Sequence, residues 1–268
     1  MRRLALLAVL LGLGSAALAL NAERVLVFFF DPTQVAPTDP RLSEQVWQGP
    51  GDARLVLWLA PPRPGKPTIL YFHGNAGNLA ARAGRFARIL DHGYGLVAMA
   101  YPGSSGSTGE LSSAAIQRLA RALYDTLPDL PGMADADKVV LYGESLGTGV
   151  ATELAAELAP DASPAGLVLE APYTSILDVG KRAYPLVARW LHYLGNPWVS
   201  RDHITHVRVP TLILHGTADR VIPPDMGQTL FDLSPAPDKQ LLLVQGAGHE
   251  NVWQPAAERT LYAFLDRL

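Results

Sequence analysis

The sequence contains no cysteine, which removes disulfides, thiolate nucleophiles and cysteine-ligated metals, while leaving the redox compartment open. It also lacks any run of like charge. Its 22 Lys and Arg are scattered among 25 Asp and Glu, with a net charge of -3, so the basic footprint of a nucleic-acid-binding protein is missing and no nucleic-acid partner is expected. Internal repeats and low-complexity segments are absent. Charged residues make up only 18% of the chain against 49% apolar, which argues against a disordered or coiled-coil protein. No two histidines have the helix-face spacing, with a glutamate between them, of a zinc protease, so no metal is expected. The Gly-rich stretch 102–109 has no Gly-Lys-Ser/Thr ending and is not a phosphate loop; it reads as a mobile loop at a pocket rim.

What is present begins with Met1-Arg2-Arg3 and an apolar run from Leu4 to Leu20. Two cations before an apolar helix mark a targeting segment. Its ~17 residues would span roughly 25 Å as a helix, between the lengths of a signal-peptide centre and a bilayer core. Ala17-Leu18-Ala19 offers a cleavage site, yet a second apolar stretch, Val25 to Phe30, follows at once. Residues 1–22 are therefore read as a signal anchor or signal peptide, with a lean to the anchor. The Arg pair would keep the N-terminus cytoplasmic, so the chain that follows is expected to be membrane-anchored or exported, on the non-cytoplasmic side.

The remaining 23–268 read as one domain, and 268 residues suffice for one large core. Arg54 to Ala60 reads as a strand. Short apolar runs then alternate with longer helical stretches, the pattern of a parallel sheet with helices on both faces. Thr68 to Phe72, Gly95 to Ala100, Lys138 to Tyr142, Gly166 to Leu169, Thr211 to Leu214 and Gln240 to Val244 are near-continuously apolar, as buried parallel strands are. Leu79 to Leu90, Ser112 to Leu127, Leu146 to Leu158, Asp225 to Leu233 and Gln254 to Leu268 carry apolar residues at three- and four-residue spacing. From about 172 to 209 no strand-like run occurs, but Tyr173, Tyr184, Trp190, Tyr193 and Trp198 do. This interval reads as an inserted cap; its aromatics serve either a pocket or the packing of the insertion onto the sheet.

Gly143-Glu144-Ser145-Leu146-Gly147 matches the nucleophile elbow, a sharp strand-to-helix turn that lifts a serine out at the sheet edge. The pattern alone is weak. A strand running into it and a helix leaving it make it specific. A serine hydroxyl needs an adjacent base, itself oriented by a carboxylate. In this arrangement the chain order is Ser, then acid, then His. Asp219, after the strand Thr211 to Leu214, and His249, after Gln240 to Val244, meet that order. Asp178 is a rival for the acid, and His215 reads as a supporting histidine. His92, His192, His203 and His206 have no such placement. Two backbone N–H groups must face the oxygen that becomes negative during attack. They are assigned to Asn75, in Tyr71-Phe72-His73-Gly74-Asn75-Ala76-Gly77-Asn78, and to Leu146; His73 reads as a brace for that loop.

With these motifs in hand, the chain resembles the membrane-anchored abhydrolase-domain proteins, the Bem-type α/β-hydrolases related to the protein depalmitoylases. The resemblance covers nearly the whole chain. It rests on the N-terminal apolar run, His73-Gly74-Asn75-Ala76-Gly77-Asn78, Tyr101 with its Gly-rich loop, the Gly143–Gly147 elbow, Pro172-Tyr173-Thr174-Ser175, His215-Gly216-Thr217-Ala218-Asp219 and Gly248-His249. It departs at Tyr101-Pro102-Gly103, where family members often carry an arginine after the tyrosine. The resemblance implies an α/β-hydrolase fold with an eight-stranded type of sheet, no cofactor, and hydrolysis of an ester or thioester through an acyl-enzyme. The apolar cap and membrane proximity point to a small-molecule or lipid-like acyl substrate. A peptidase or amidase of the same fold, and a catalytically silent binding module, are the alternatives.

Overall fold

A computed structural model describes Arg24 and residues 27–134, 136–158, 163–184 and 197–268. The expected targeting segment 1–22, and the middle of the expected cap with Trp190, His192 and Tyr193, lie outside the described residues. In chain order the strands are β1 (Phe29–Phe30), β2 (Ser43–Gln48), β3 (Arg54–Ala60), β4 (Thr68–Phe72), β5 (Ala76–Gly77), β6 (Gly95–Met99), β7 (Val139–Glu144), β8 (Gly166–Glu170), β9 (Thr211–Gly216) and β10 (Lys239–Val244). The helices are α1 (Ala83–Asp91), α2 (Ser113–Asp125), α3 (Gly147–Glu157), α4 (Ile176–Ala183), α5 (Ser200–His203), α6 (Pro224–Leu233) and α7 (Pro255–Leu265).

Among the described residues the main sheet has eight strands in the order β10-β9-β8-β7-β4-β6-β3-β2. Pairing is parallel from β10 to β6 and antiparallel where β3 joins β6 and β2 joins β3. The period of two explains why the central strands are apolar throughout. Leu55, Leu57, Leu70, Phe72, Leu141, Leu167 and Ile213 face one layer, shared with Ile116, Leu119 and Leu123 of α2, Val150 and Leu154 of α3, and Leu230 of α6. Their neighbours Val56, Trp58, Ile69, Tyr71, Val140, Val168 and Leu212 face the other, against Phe86 and Ile89 of α1 and Leu261 and Phe264 of α7. The C-terminal ends of β4, β7, β9 and β10 open onto one edge, the position where open α/β sheets hold ligands.

Three local features differ from the sequence reading. The stretch Leu79 to Leu90 is a 3-10 turn (Leu79–Arg82) followed by α1, because Asn78 caps the turn by accepting the Ala81 N–H and Arg82, at φ −106°, ψ 1°, breaks the run. Strand β2 was not anticipated: it is an edge strand rich in polar residues and largely exposed, with little apolar signal to read. The Gly-rich loop 102–109 is packed down, since Ser104, Ser105 and Ser107 are buried and the Ser105 and Ser107 hydroxyls accept the N–H groups of Leu79 and Val56. Among the described residues of 172–209 there is no strand. Within this segment Tyr173 and Trp198 are buried while Tyr184 is 65% exposed, so its described aromatics divide between packing and surface. No helix among the described residues is long and apolar enough to cross a membrane.

Candidate active site

Strand β7 delivers Ser145 at its C-terminal end, and α3 starts two residues later. Between them Ser145 takes φ +49°, a left-handed conformation that costs a non-glycine residue on the order of 1–3 kcal/mol and survives only where its surroundings enforce it. Here they do: the Ser145 N–H donates to the Glu170 carbonyl at 2.8 Å, and the Thr148 N–H returns to the Ser145 carbonyl at 2.9 Å. The flanking glycines are dictated by close backbone approach. A Cβ on Gly147 would lie 2.1 Å from the Phe72 carbonyl oxygen, and one on Gly143 would lie 2.5 Å from that of Gly147. Gly147→Ala is therefore expected to destabilise the domain by about 3 kcal/mol or more, read by chemical denaturation; a loss under about 1 kcal/mol would contradict the packing described.

The three residues expected to form a catalytic relay lie together. Ser145 Oγ is 2.9 Å from His249 Nε2, and His249 Nδ1 is 2.8 Å from Asp219 Oδ2. With a carboxylate on Nδ1, that nitrogen carries the proton and Nε2 is left as acceptor for the serine. Asp219 is itself fixed, since its Oδ1 accepts the N–H groups of Val221 and Ile222, both at 2.8 Å. Burial pushes the Asp219 carboxyl up, but hydrogen bonds to His215, His249 and the Ile222 amide hold it well below the usual carboxylate range. For His249, burial favours the neutral ring, yet the hydrogen bond and charge of Asp219 outweigh it and raise the imidazole above its ordinary 6.5.

That direction sets the pH dependence. Proton abstraction needs neutral His249, so kcat/KM should rise with pH through one ionisation lying above 6.5; a rising limb centred below pH 6 would contradict the arrangement. Stability runs the other way for this residue. The raised folded-state pKa makes its contribution complete below 6.5 and lost as pH climbs through the folded value, whereas the Asp219 contribution is present at neutral pH and lost in acid.

The rival residues are elsewhere engaged. Asp178 accepts from Thr174 Oγ1 at 2.7 Å and pairs with Arg201 at 2.6 Å. His215 donates from Nε2 to the Ile222 carbonyl at 2.8 Å and lies 3.5 Å from Asp219 Oδ2, so it supports the turn that presents the acid. A Cβ on Gly227 would lie 2.5 Å from its Nδ1, and that close helix packing holds the ring. His73 is buried and pushed down to about 3 by that burial and by Arg82. Its Nδ1–H donates to the Gly74 carbonyl, and its own carbonyl accepts from Tyr101 Oη at 3.1 Å.

A cavity of about 260 Å³ opens at Ser145 and His249, lined also by Asn75, Leu146, Tyr173, Ile176, Val179 and Val221. Among the described residues neither the Asn75 nor the Leu146 backbone N–H is taken by a backbone acceptor, whereas the Ser145 N–H is, which leaves the first two amides available beside the serine. No three His, Asp or Glu side chains among the described residues are grouped to hold a metal.

Sequence reasoning missed the charged floor of this cavity. Arg82 pairs with Glu144 through Nε at 3.1 Å and Nη2 at 3.0 Å. Arg85 pairs with Glu170 at 2.6 and 3.0 Å. Tyr71 donates to Glu144, and Tyr142 and Trp253 donate to Glu170. Burial raises the Glu144 carboxyl, but the Arg85 and Arg82 charges outweigh it and keep it ionised. Glu144 precedes the nucleophile, and the Glu170 carbonyl holds the nucleophile's N–H, so the network ties the elbow to α1. The available signal was a glutamate closing each of two otherwise apolar strands; a charge at the end of a buried strand requires a partner.

Comparison with known proteins agrees with this fold. A family profile described as Hydrolase_4: Serine aminopeptidase, S33 matches residues 197–255, the stretch that contains Asp219 and His249. Uncharacterized protein Rv2307c of Mycobacterium tuberculosis is 32% identical over 74% of this chain and 69% of its own length. Lysophosphatidylserine lipase ABHD12 of Danio rerio is 32% identical over 63% of this chain, which spans 47% of that relative. Protein bem46 of Schizosaccharomyces pombe is 32% identical over 68% of this chain and 60% of its own. The Pyrococcus furiosus esterase Pf2001 superposes with a TM-score of 0.74 over 90% of this chain and 97% of the other, at 16% identity, a likeness of fold alone. The chain is a hydrolase of the α/β-hydrolase superfamily. Within that superfamily it belongs to the family of Rv2307c and is similar to the ABHD12 and bem46 proteins over about half and 60% of their lengths.

Proposed function

We propose that the protein is a serine esterase or thioesterase acting on a lipophilic acyl substrate through an acyl-enzyme. The observation that carries this reading is the relay of Ser145, His249 and Asp219 at 2.9 and 2.8 Å, at the mouth of one cavity. Ser145 Oγ attacks the carbonyl carbon while His249 Nε2 takes the hydroxyl proton. The oxyanion is met by the N–H groups of Asn75 and Leu146. His249 then gives that proton to the leaving alcohol or thiol as its bond to the acyl carbon breaks. Water, deprotonated by His249, adds to the acyl-enzyme and releases the acid, and the proton returns to Ser145. Asp219 holds the histidine tautomer throughout.

The apolar wall of Tyr173, Ile176, Val179 and Val221 supports an acyl chain as the bound group. The segment about 172–209 is read as a cap whose residues Ile176 and Val179 supply part of that wall. The relative ABHD12, of which this chain spans about half, is named a lysophosphatidylserine lipase, in keeping with a lipid ester as substrate. The matching family is described as a serine aminopeptidase, an activity whose substrate carries a terminal ammonium group that a free carboxylate would recognise. Of the glutamates lining the cavity, Glu144 and Glu170 are committed to Arg82 and Arg85, leaving Glu250 at the rim. Turnover of p-nitrophenyl esters and acyl thioesters of increasing chain length, against matched anilides, tests the reading. Esters or thioesters should exceed anilides by at least about 100-fold in kcat/KM; faster anilide hydrolysis, or none of any substrate by folded protein, would replace it with the amidase or the silent module.

The apolar run Leu4 to Leu20 is proposed to hold this domain at a membrane, on the non-cytoplasmic side. Full-length protein should resist alkaline extraction from membranes, and protein lacking residues 1–22 should be released; equal release of both would contradict the anchor.

A further inference from the structure

We propose that Phe28 to Asp31, the stretch of chain that carries β1, is a strap that positions the oxyanion-stabilising loop. The inference rests on the assignment of the Asn75 amide made above. That amide sits in a loop, Gly74 to Asn78, between β4 and the 3-10 turn, and Gly77 within it adopts φ +74°. Such a loop has soft dihedrals, while an oxyanion donor must be held within about 0.5 Å of its working position. Something outside the loop must hold it.

On its inner side Arg82 does so, donating from Nη1 to the carbonyls of Ala76 and Asn78. On its outer side every residue from Asn75 to Asn78 is tied to the strap. The Phe29 N–H donates to Asn75 Oδ1 at 3.0 Å. Strand β1 pairs in parallel with β5, Phe29 opposite Ala76 and Phe30 opposite Gly77. The Asp31 N–H donates to the Gly77 carbonyl at 3.0 Å, and Asn78 Nδ2 donates to Asp31 Oδ2 at 2.9 Å.

The strap is itself seated firmly enough to act as a reference. Phe28 is buried with its ring 6.3 Å from that of Trp198. The Phe30 ring lies 5.4 Å from His73 and 5.2 Å from Tyr101, and the Asp31 carbonyl accepts the Ser105 N–H at 2.9 Å. The only side chain left outside is Phe29, 63% exposed, and its contribution to the loop is made through its backbone.

The test uses full-length protein and two substrates that differ in one atom, an activated carboxylic ester and its thionoester, whose sulfur is a far weaker hydrogen-bond acceptor than oxygen. Phe29→Pro deletes the N–H given to Asn75; Phe29→Ala keeps it. Asp31→Ala deletes the acceptor for Asn78; Asp31→Asn restores an oxygen there. The strap predicts that Phe29→Pro and Asp31→Ala lower kcat for the ester on the order of 10-fold with KM nearly unchanged. The thionoester rate should stay nearly constant, so the ester-to-thionoester ratio falls by that factor, while Phe29→Ala and Asp31→Asn stay near the parent. If Phe29→Pro does not fold, the Asp31 pair reads the same ratio. Equal losses on both substrates, or no loss in either variant while the parent is active, would overturn the strap alone. A parent that hydrolyses neither substrate would overturn the assignment of function and the strap with it.

Discussion

Replacing Ser145 with Ala should lower ester turnover by roughly 10⁴- to 10⁶-fold while leaving stability within about 0.5 kcal/mol of the parent. The two halves of that expectation have separate causes. In the proposed mechanism the hydroxyl oxygen forms the acyl bond, so without it His249 would have no proton to accept and only the amide pair and substrate binding would remain to sustain a small residual rate. The hydroxyl bonds to His249 Nε2; the hydrogen bonds that enforce the left-handed turn run through the Ser145 backbone and survive in alanine. Steady-state kinetics and a denaturation curve on the same preparation check both. Turnover within about 10-fold of the parent would remove Ser145 from the chemistry.

Asp219→Asn should cost on the order of 10⁴ in kcat with the fold retained. The asparagine oxygen can keep the Val221 and Ile222 amides that Asp219 Oδ1 now holds, which turns the NH2 group toward His249 Nδ1. A donor there forces the imidazole proton onto Nε2, where it faces the Ser145 hydroxyl and blocks proton transfer. The loss of the carboxylate also removes the charge that raises His249, so the remaining activity should show its rising limb at lower pH than the parent. A loss under about 10-fold, or an unmoved limb, would assign the orienting role to another group.

The elements that position the site were readable because each obeys a local rule with few alternatives. Buried parallel strands such as Thr68–Phe72 are apolar on both faces, and the elbow glycines stand where any Cβ would strike backbone. Asp219 and His249 could be placed because each follows a strand of that kind. What escaped was set by partners distant in sequence. Strand β2 is defined by its antiparallel pairing with β3 and carries little apolar signal. Arg82 and Arg85 find Glu144 and Glu170 across 62 and 85 residues, and no spacing in the chain announces such pairs. The Gly-rich loop 102–109 was read from composition as mobile, yet its serine hydroxyls satisfy buried amides of Leu79 and Val56, a use of serine that only the folded arrangement reveals. The strap from Phe28 to Asp31 belongs to the same class: its effect on Asn75 acts across 46 residues.

The most direct test of the central claim is to expose the folded parent protein to a fluorophosphonate and map the adduct by peptide mass spectrometry. An activated serine in the arrangement described takes up one phosphonyl group, on the peptide that contains Ser145, and does so faster as pH rises above 6.5. Folded protein that takes up no phosphonyl group, or carries it on another residue, would contradict the assignment of Ser145 as the nucleophile.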